Sequence, residues 1–250
     1  MDKLVFTSLS GQNSVAHRMQ QISNEIANVS TVGFKRSFAA TLKTFRYDGD
    51  GFESRFVPVV TPGNGVDMKP GTIMNTGRAL DVAMGGTQLL AVQGADGSVA
   101  YTRRGDLNVD ASGTLRIGSG EAVLDDGGAP LQIPALVEVK VGTDGTIFTK
   151  QPGEQAAIFL PLGRMQIVEP QVDDIRLRTD GLYTNATGQP FPVAENPGVQ
   201  SGALEGSNTN LFSTMVDMIS MSRRYEMQVK VLKQASDLAE RSQSMARLNQ

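Results

Sequence analysis

A chain of 250 residues with 23 basic and 26 acidic side chains, formal net charge -3, has no positive surplus with which to displace counterions from a nucleic-acid backbone, and its Lys and Arg are scattered. Nucleic acid is not an expected partner. Having no cysteine, it can build no disulfide, thiolate nucleophile or thiolate metal site. At 40% hydrophobic and 20% charged residues it can bury a substantial core, yet no apolar run approaches the roughly 18 residues of a membrane helix, so direct membrane insertion is not expected. The stretch Met1 to Ser8 lacks a basic leader, an apolar block and a small-residue cleavage site, and no cleaved export signal is expected.

Between Lys3 and Val29 there is no proline and a single glycine, Gly11. Apolar or small residues at Val5, Leu9, Ala16, Met19 and Ile26, with Gln12 and Ser23 on the same stripe, follow steps of three and four and predict an amphipathic helix with a heptad-like seam. It should end near Asn28, with Gly33 supplying the positive φ of a terminating turn. Asn24 and Asn28 stand one helical turn apart, where they can end the helix or fix its register against a partner. Residues 1–36 are thus read as a helix and turn. The following 37–76 mix apolar pieces with many Gly and Pro and read as an extended arm.

From 77 to 202 the period shortens. Alternations such as Leu107-Asn108-Val109 and Val137 to Val141 are separated by turn pairs including Asp96-Gly97, Ser112-Gly113, Asp126-Gly127, Asp144-Gly145 and Asp180-Gly181. Such turn chemistry at such spacing predicts an all-β domain of many short strands. The last segment, 203–250, holds some forty residues from Asn208 to Leu248 without Gly or Pro. Its stripe runs Leu211, Met215, Met218, Tyr225, Val229, Leu232 and Ala239, with Ser222 and Ser236 in the remaining heptad slots. At 1.5 Å per residue this helix would reach roughly 60 Å and the N-terminal one roughly 40 Å. The expected fold is therefore α+β: two long terminal helices packed together in a coiled-coil-like way, an arm, and one β domain. Two helices alone leave apolar flanks uncovered, which neighbouring copies could cover.

Chemistry-bearing candidates are sparse. His17 is the only histidine and lies off the seam beside Arg18, so a catalytic or zinc role lacks companions. Asp48 to Glu53 suggests a calcium loop, but Val59 stands where the twelfth-position Glu is needed. Gly118-Ser119-Gly120 lacks the third glycine of a dinucleotide fingerprint and reads as a hairpin. A carbohydrate-active hydrolase needs only two carboxylates across a cleft, but most of the Asp residues sit in Asp-Gly turns, where local backbone bonding favours them. No cofactor, metal or small-molecule substrate is expected.

The segment Asn24-Glu25-Ile26-Ala27-Asn28-Val29-Ser30-Thr31-Val32-Gly33-Phe34-Lys35-Arg36 resembles the N-terminal signature of flagellar rod and hook proteins. Leu80 to Ala83, Tyr101-Thr102-Arg103-Arg104-Gly105, Asp110 to Leu115 and Arg178 to Tyr183 are similar to that family's β-domain motifs. Ser201-Gly202-Ala203-Leu204-Glu205-Gly206-Ser207-Asn208, then Met218-Ile219 and Arg224-Tyr225-Glu226, resemble its C-terminal signature. Two positions depart from the pattern: Glu25 replaces a usual asparagine, and Gly85-Gly86-Thr87-Gln88-Leu89-Leu90 replaces a more aromatic turn. The Met-Asp start, the length and the short arm are most like the proximal-rod branch, with distal-rod and hook-type members as the alternatives. The resemblance implies a non-catalytic axial subunit, exported through the flagellum's own channel to a basal body in the periplasm. There it would assemble with other rod proteins and copies of itself. The residues expected at that assembly interface are Val5, Leu9, Met19, Asn24, Ile26, Asn28, Leu211, Met215, Met218, Tyr225, Val229 and Leu232.

Overall fold

The computed structural model describes residues 2–37, 41–46, 56–61, 65–151 and 159–248. The chain divides into two units, one of Met1–Ala27, Ala39–Gly63 and Asn210–Gln250, the other of Asn28–Phe38 and Asn64–Thr209.

In the first unit, helix α1 spans Asp2–Ala27 and helix α2 spans Leu211–Leu248. Both agree with the proline-free stretches, within a few residues at either end. Asn210 starts α2 as its N-cap, its Oδ1 accepting the Ser213 N–H at 3.2 Å. The helices lie against each other, with the Gln12 amide donating to the Tyr225 hydroxyl at 3.3 Å. Gly11 permits a close approach there, since a Cβ on it would stand 3.1 Å from Gln228 Nε2. The seam differs from the expected one in phase. Val15 and Ile22 are buried, whereas Ala16 and Ser23 of the expected stripe are exposed. Among the described side chains of α2 the buried or half-buried positions are Leu211, Thr214, Met221, Ser222, Gln228 and Leu232, while Met215 and Val229 face solvent. Strands β1 (Thr41–Arg46) and β2 (Phe56–Thr61) pair antiparallel in the same unit, so part of the expected arm is a two-stranded ribbon. The rejected calcium loop, Asp48 to Glu53, lies outside the described residues.

Among its described residues the second unit has no helix other than a three-residue turn of 3-10 helix, Val172–Asp174, and is otherwise built of strands and turns. In chain order its strands are β3 (Ile73–Asn75), β4 (Val82–Met84), β5 (Leu89–Gln93), β6 (Val99–Thr102), β7 (Leu107–Val109), β8 (Leu115–Ile117) and β9 (Ala122–Val123). There follow β10 (Glu138–Val141), β11 (Thr146–Lys150), β12 (Leu160–Arg164), β13 (Ile167–Val168), β14 (Ile175–Leu177), β15 (Tyr183–Asn185), β16 (Val199–Ser201) and β17 (Ala203–Glu205). The largest sheet runs β14-β15-β6-β5-β9-β8-β7 with β13 also on β5, while β10-β11-β12, β16-β4 and β17-β3 form smaller sheets. Strand β5 is central because both its faces are apolar. Leu90 and Val92 enter one core with Leu107, Leu115, Val123 and Ile147, and Leu89 and Ala91 enter a second with Tyr101, Val168, Ile175 and Tyr183. Gly118 to Gly120 is the tight β8–β9 connection, as expected of a hairpin, with the Ile117 N–H bonding the Glu121 carbonyl at 3.0 Å.

This β unit extends past the expected 77–202 at both ends. Strand β3 pairs with β17, matching Met74 to Leu204, and Val66 and Met68, placed in the arm by the sequence, are buried in the second core. The alternation Val66-Asp67-Met68 is a three-residue period-2 signal, too short to stand out among the neighbouring glycines and prolines.

Candidate functional site

Two features stand out, one in each unit. The first is the outer surface of α2. Large apolar side chains there are widely exposed: Phe212 at 80%, Val216 at 62%, Ile219 at 56%, Met227 at 57% and Leu238 at 62%. These five share one side of α2, away from its buried positions, and a helix that is apolar there as well as on its seam is one that finishes its burial against other surfaces. Of the expected interface residues, Met215, Met218, Tyr225 and Val229 are exposed to between 37% and 50%, and Leu211, Leu232, Met19 and Ile26 are half-buried. Asn24 is exposed on α1. Val5 and Leu9 lie on α1, and their side chains fall outside the described set. Asn28 belongs to the turn that follows α1: its carbonyl accepts the Thr31 N–H at 3.1 Å and its side-chain oxygen accepts the Thr31 hydroxyl at 3.1 Å. Gly33, two residues on, has φ of 68° as the terminating turn requires.

The second feature is a buried knot of charge inside the β unit. Glu205, at the end of β17, receives Lys35 Nζ at 2.6 Å on one carboxylate oxygen and Arg103 Nε at 2.6 Å on the other. The Gly71 N–H adds a third bond at 2.8 Å. All three charged side chains are at most 1% exposed. The remaining donors are also used. Lys35 Nζ bonds the Lys69 carbonyl at 2.7 Å, and the Arg103 guanidinium donates to the carbonyls of Met84, Gly85 and Gln88. The unusual Gly85 to Gln88 turn is thereby accounted for, since its backbone oxygens converge on Arg103. Gln88 in turn holds residues 196–198, donating to the Asn196 carbonyl at 3.0 Å and accepting the Gly198 N–H at 2.9 Å. Beside the knot, Asn208 accepts the Arg36 N–H at 2.9 Å and donates to the Asp67 carbonyl at 2.8 Å.

Burial alone pushes the Glu205 carboxyl up. The Arg103 charge, with the hydrogen bonds from Lys35, Gly71 and Arg103, outweighs it and holds the group below the usual glutamate range. Lys35 is driven below the usual ammonium value by burial, more strongly than its bond to Glu205 lifts it. Two cations thus share one carboxylate, and that carboxylate must stay ionised.

A cleft of about 550 Å³ opens alongside, lined by Pro70, Ile73, Gly86, Pro197, Asp144 and Glu205 among others. Its two carboxylates are both stabilised as anions: hydrogen bonds from Thr146 lower Asp144, and the knot lowers Glu205. A glycosidase pair needs one member raised to serve as an acid, and neither is. Among the described residues, no group of three or more His, Asp or Glu is placed to hold a metal ion. Among the described residues, no helix is long and apolar enough to cross a membrane.

The knot joins three of the segments whose motifs carry the resemblance: Gly33 to Arg36, Tyr101 to Gly105 and Ser201 to Asn208. Residues 83–149 match the family described as flagellar hook protein FlgE/F/G D1 domain, and residues 200–245 match flagellar basal body rod FlgEFG protein C-terminal. The flagellar basal-body rod protein FlgF of Escherichia coli is 36% identical over 252 residues, covering 98% of both chains. The chain belongs to the flagellar basal-body rod protein family. FlgF of Salmonella typhimurium is 35% identical over 239 residues, 93% of each chain, and the rod protein FlgG of Buchnera aphidicola from Schizaphis graminum is 26% identical over 257 residues, 95% of this chain and 97% of its own. In this rod protein the Arg103–Glu205 bridge links the two matched regions to each other. Sequence reasoning missed the knot because nothing beside Lys35, Arg103 or Glu205 in the sequence marks a buried charge; the available signal was that each sits inside a family motif.

Proposed function

We propose that the chain is a structural, non-catalytic subunit of the flagellar basal-body rod, most like its proximal members. It polymerises with other rod proteins and with copies of itself through the flanks of α1 and α2, packed as a coiled-coil-like pair. The observation that carries this reading is the apolar surface of α2, exposed at positions from Phe212 to Leu238. In the assembled rod those side chains meet neighbours and form part of the shaft and of the export-channel wall. Higher identity to FlgF than to FlgG favours the proximal reading over the distal one. The absence of a raised carboxylate in the cleft favours a structural role over hydrolysis. The same reading places the subunit in the periplasmic basal body after export through the flagellar channel.

The test is substitution of Val229, which is 42% exposed, and of Leu232 by Asp. An unpaired carboxylate in an apolar helix interface costs on the order of several kcal/mol. Val229→Asp should leave the isolated chain folded by circular dichroism yet abolish swimming in cells that depend on it, and Leu232→Asp should do the same. Normal swimming in both variants would overturn the proposal.

A further inference from the structure

We infer that the exposed methionines of α2 are oxidation sites that make assembly of the free subunit sensitive to peroxide; this rests on the assembly role proposed for α2. Met215, Met218 and Met227 are 50%, 37% and 57% exposed. By contrast, Met68, Met84 and Met165 in the β unit are 5%, 4% and 1% exposed. The chain contains neither cysteine nor tryptophan, which leaves thioethers as its softest nucleophiles toward a hydroperoxide. At about 100° per residue along a helix, the exposed Met215 and Met227 stand about 120° apart around α2, so oxidation reaches more than one side of its exposed surface.

The chemistry is self-contained once hydrogen peroxide is supplied. The thioether sulfur attacks one peroxide oxygen, the O–O bond breaks, and hydroxide leaves. The proton on the transferred oxygen passes to that hydroxide, giving one sulfoxide and one water; sulfur is oxidised by two electrons and peroxide is reduced. A flexible apolar group becomes a polar, chiral one, which is disruptive in a methionine-rich interface and is reversible by methionine sulfoxide reductases. Once neighbours cover α2 the sulfurs are shielded, so the sensitive interval is that of the unassembled subunit.

The experiment pairs peptide mapping with motility. The purified full-length chain is exposed to dilute hydrogen peroxide, quenched and mapped by mass spectrometry. Met215, Met218 and Met227 should gain oxygen well before Met68, Met84 and Met165; exposed Met74, on β3, should also react and serves as a control outside the helix. In cells lacking methionine sulfoxide reductases, a sublethal peroxide pulse during rod assembly should stop swimming when the wild-type chain is supplied. Read as a fraction of the same strain's swimming without peroxide, the loss should be clearly smaller in cells carrying Met215→Leu, Met218→Leu and Met227→Leu together, a nearly volume-conserving change whose unpulsed swimming sets its own baseline. If the triple variant fails to swim without peroxide, Met227→Leu alone is compared in the same way. Equal loss of swimming with and without the leucines, or helix methionines that oxidise no faster than the buried ones, overturns the inference. Failure here with Val229→Asp still non-motile leaves the assembly role standing; normal swimming of Val229→Asp and Leu232→Asp removes that role itself.

Discussion

Replacing Glu205 by Gln is the sharpest perturbation of the buried knot. The side chain keeps its shape and one oxygen, but the carboxylate that both Lys35 and Arg103 bond is gone, and an amide NH2 faces a cationic donor. Removing one partner from a buried ion pair costs about 3–5 kcal/mol, because the remaining charge is stranded. Here two cations are stranded at no more than 1% exposure, which places the cost toward the upper end of that range. Lys35 limits the loss, since burial already favours its neutral form and shedding its proton relieves part of the imbalance. For a unit of this size each kcal/mol lowers the melting temperature by about 2–4 °C, so a fall on the order of 10–20 °C is expected. The assay is thermal unfolding of the full chain followed by near-ultraviolet circular dichroism, which reports the buried rings of Tyr101 and Tyr183, each 3% exposed. Lys35→Met should cost less than Glu205→Gln, because Glu205 then retains Arg103. A Glu205→Gln variant that melts within about 3 °C of the parent would refute the claim that the knot holds the β unit together.

Glu205 also sets an acid limit: with its native value below the ordinary 4.5, its contribution is full above that value and is lost as pH falls through the native one. Urea midpoints should drop on acidification in that window, and Glu205→Gln should flatten the drop; parallel curves for both proteins would contradict it. Gly33 and Gly181 have φ of 68° and 83°, but a Cβ on Gly33 would stand 2.5 Å from the Arg103 carbonyl whereas Gly181 has nothing within 4 Å. Gly181→Ala should therefore cost about 1–2 kcal/mol for the backbone alone, and Gly33→Ala about 2–5 kcal/mol with the clash added; equal losses in denaturant titration would refute the difference. In dilute monomer, amides of α1 and those after Asn208 should exchange with deuterium faster than those of β5 and β6, because helices gain most of their stability from packing that neighbours supply. Equal protection of helices and β core would instead favour a self-contained globular protein.

What the sequence made legible, and what it hid, follows from the range of each interaction. The helices could be located from proline-free, glycine-poor stretches, and the β unit from local turn chemistry. At Asp96-Gly97, for example, Asp96 Oδ1 accepts the Ser98 N–H at 3.0 Å and Gly97 takes φ of 78°. At Asp126-Gly127-Gly128 the positive φ falls on Gly128, one residue later than the pair suggests. The pairing of β3 with β17 left no such trace, because its three-residue strands are joined across more than a hundred residues and β3 is exposed along its length. The knot is longer in range still: Glu205 finds Arg103 and Lys35 at separations of 102 and 170 residues, and nothing local distinguishes a charge with a buried partner from a solvated one. The phase of the terminal seams was obscured for a different reason. On α2 the apolar residues Leu211, Ile219, Val216, Val231, Met221 and Met218 together point in nearly every direction around the axis, so a period of 3.5 can be drawn through several faces equally well. A helix with one partner concentrates its apolar residues in one stripe and advertises its seam. One that must also meet neighbours on its flanks spreads them, and the ambiguous seam of α2 is the trace that the assembly role proposed above would leave in the sequence.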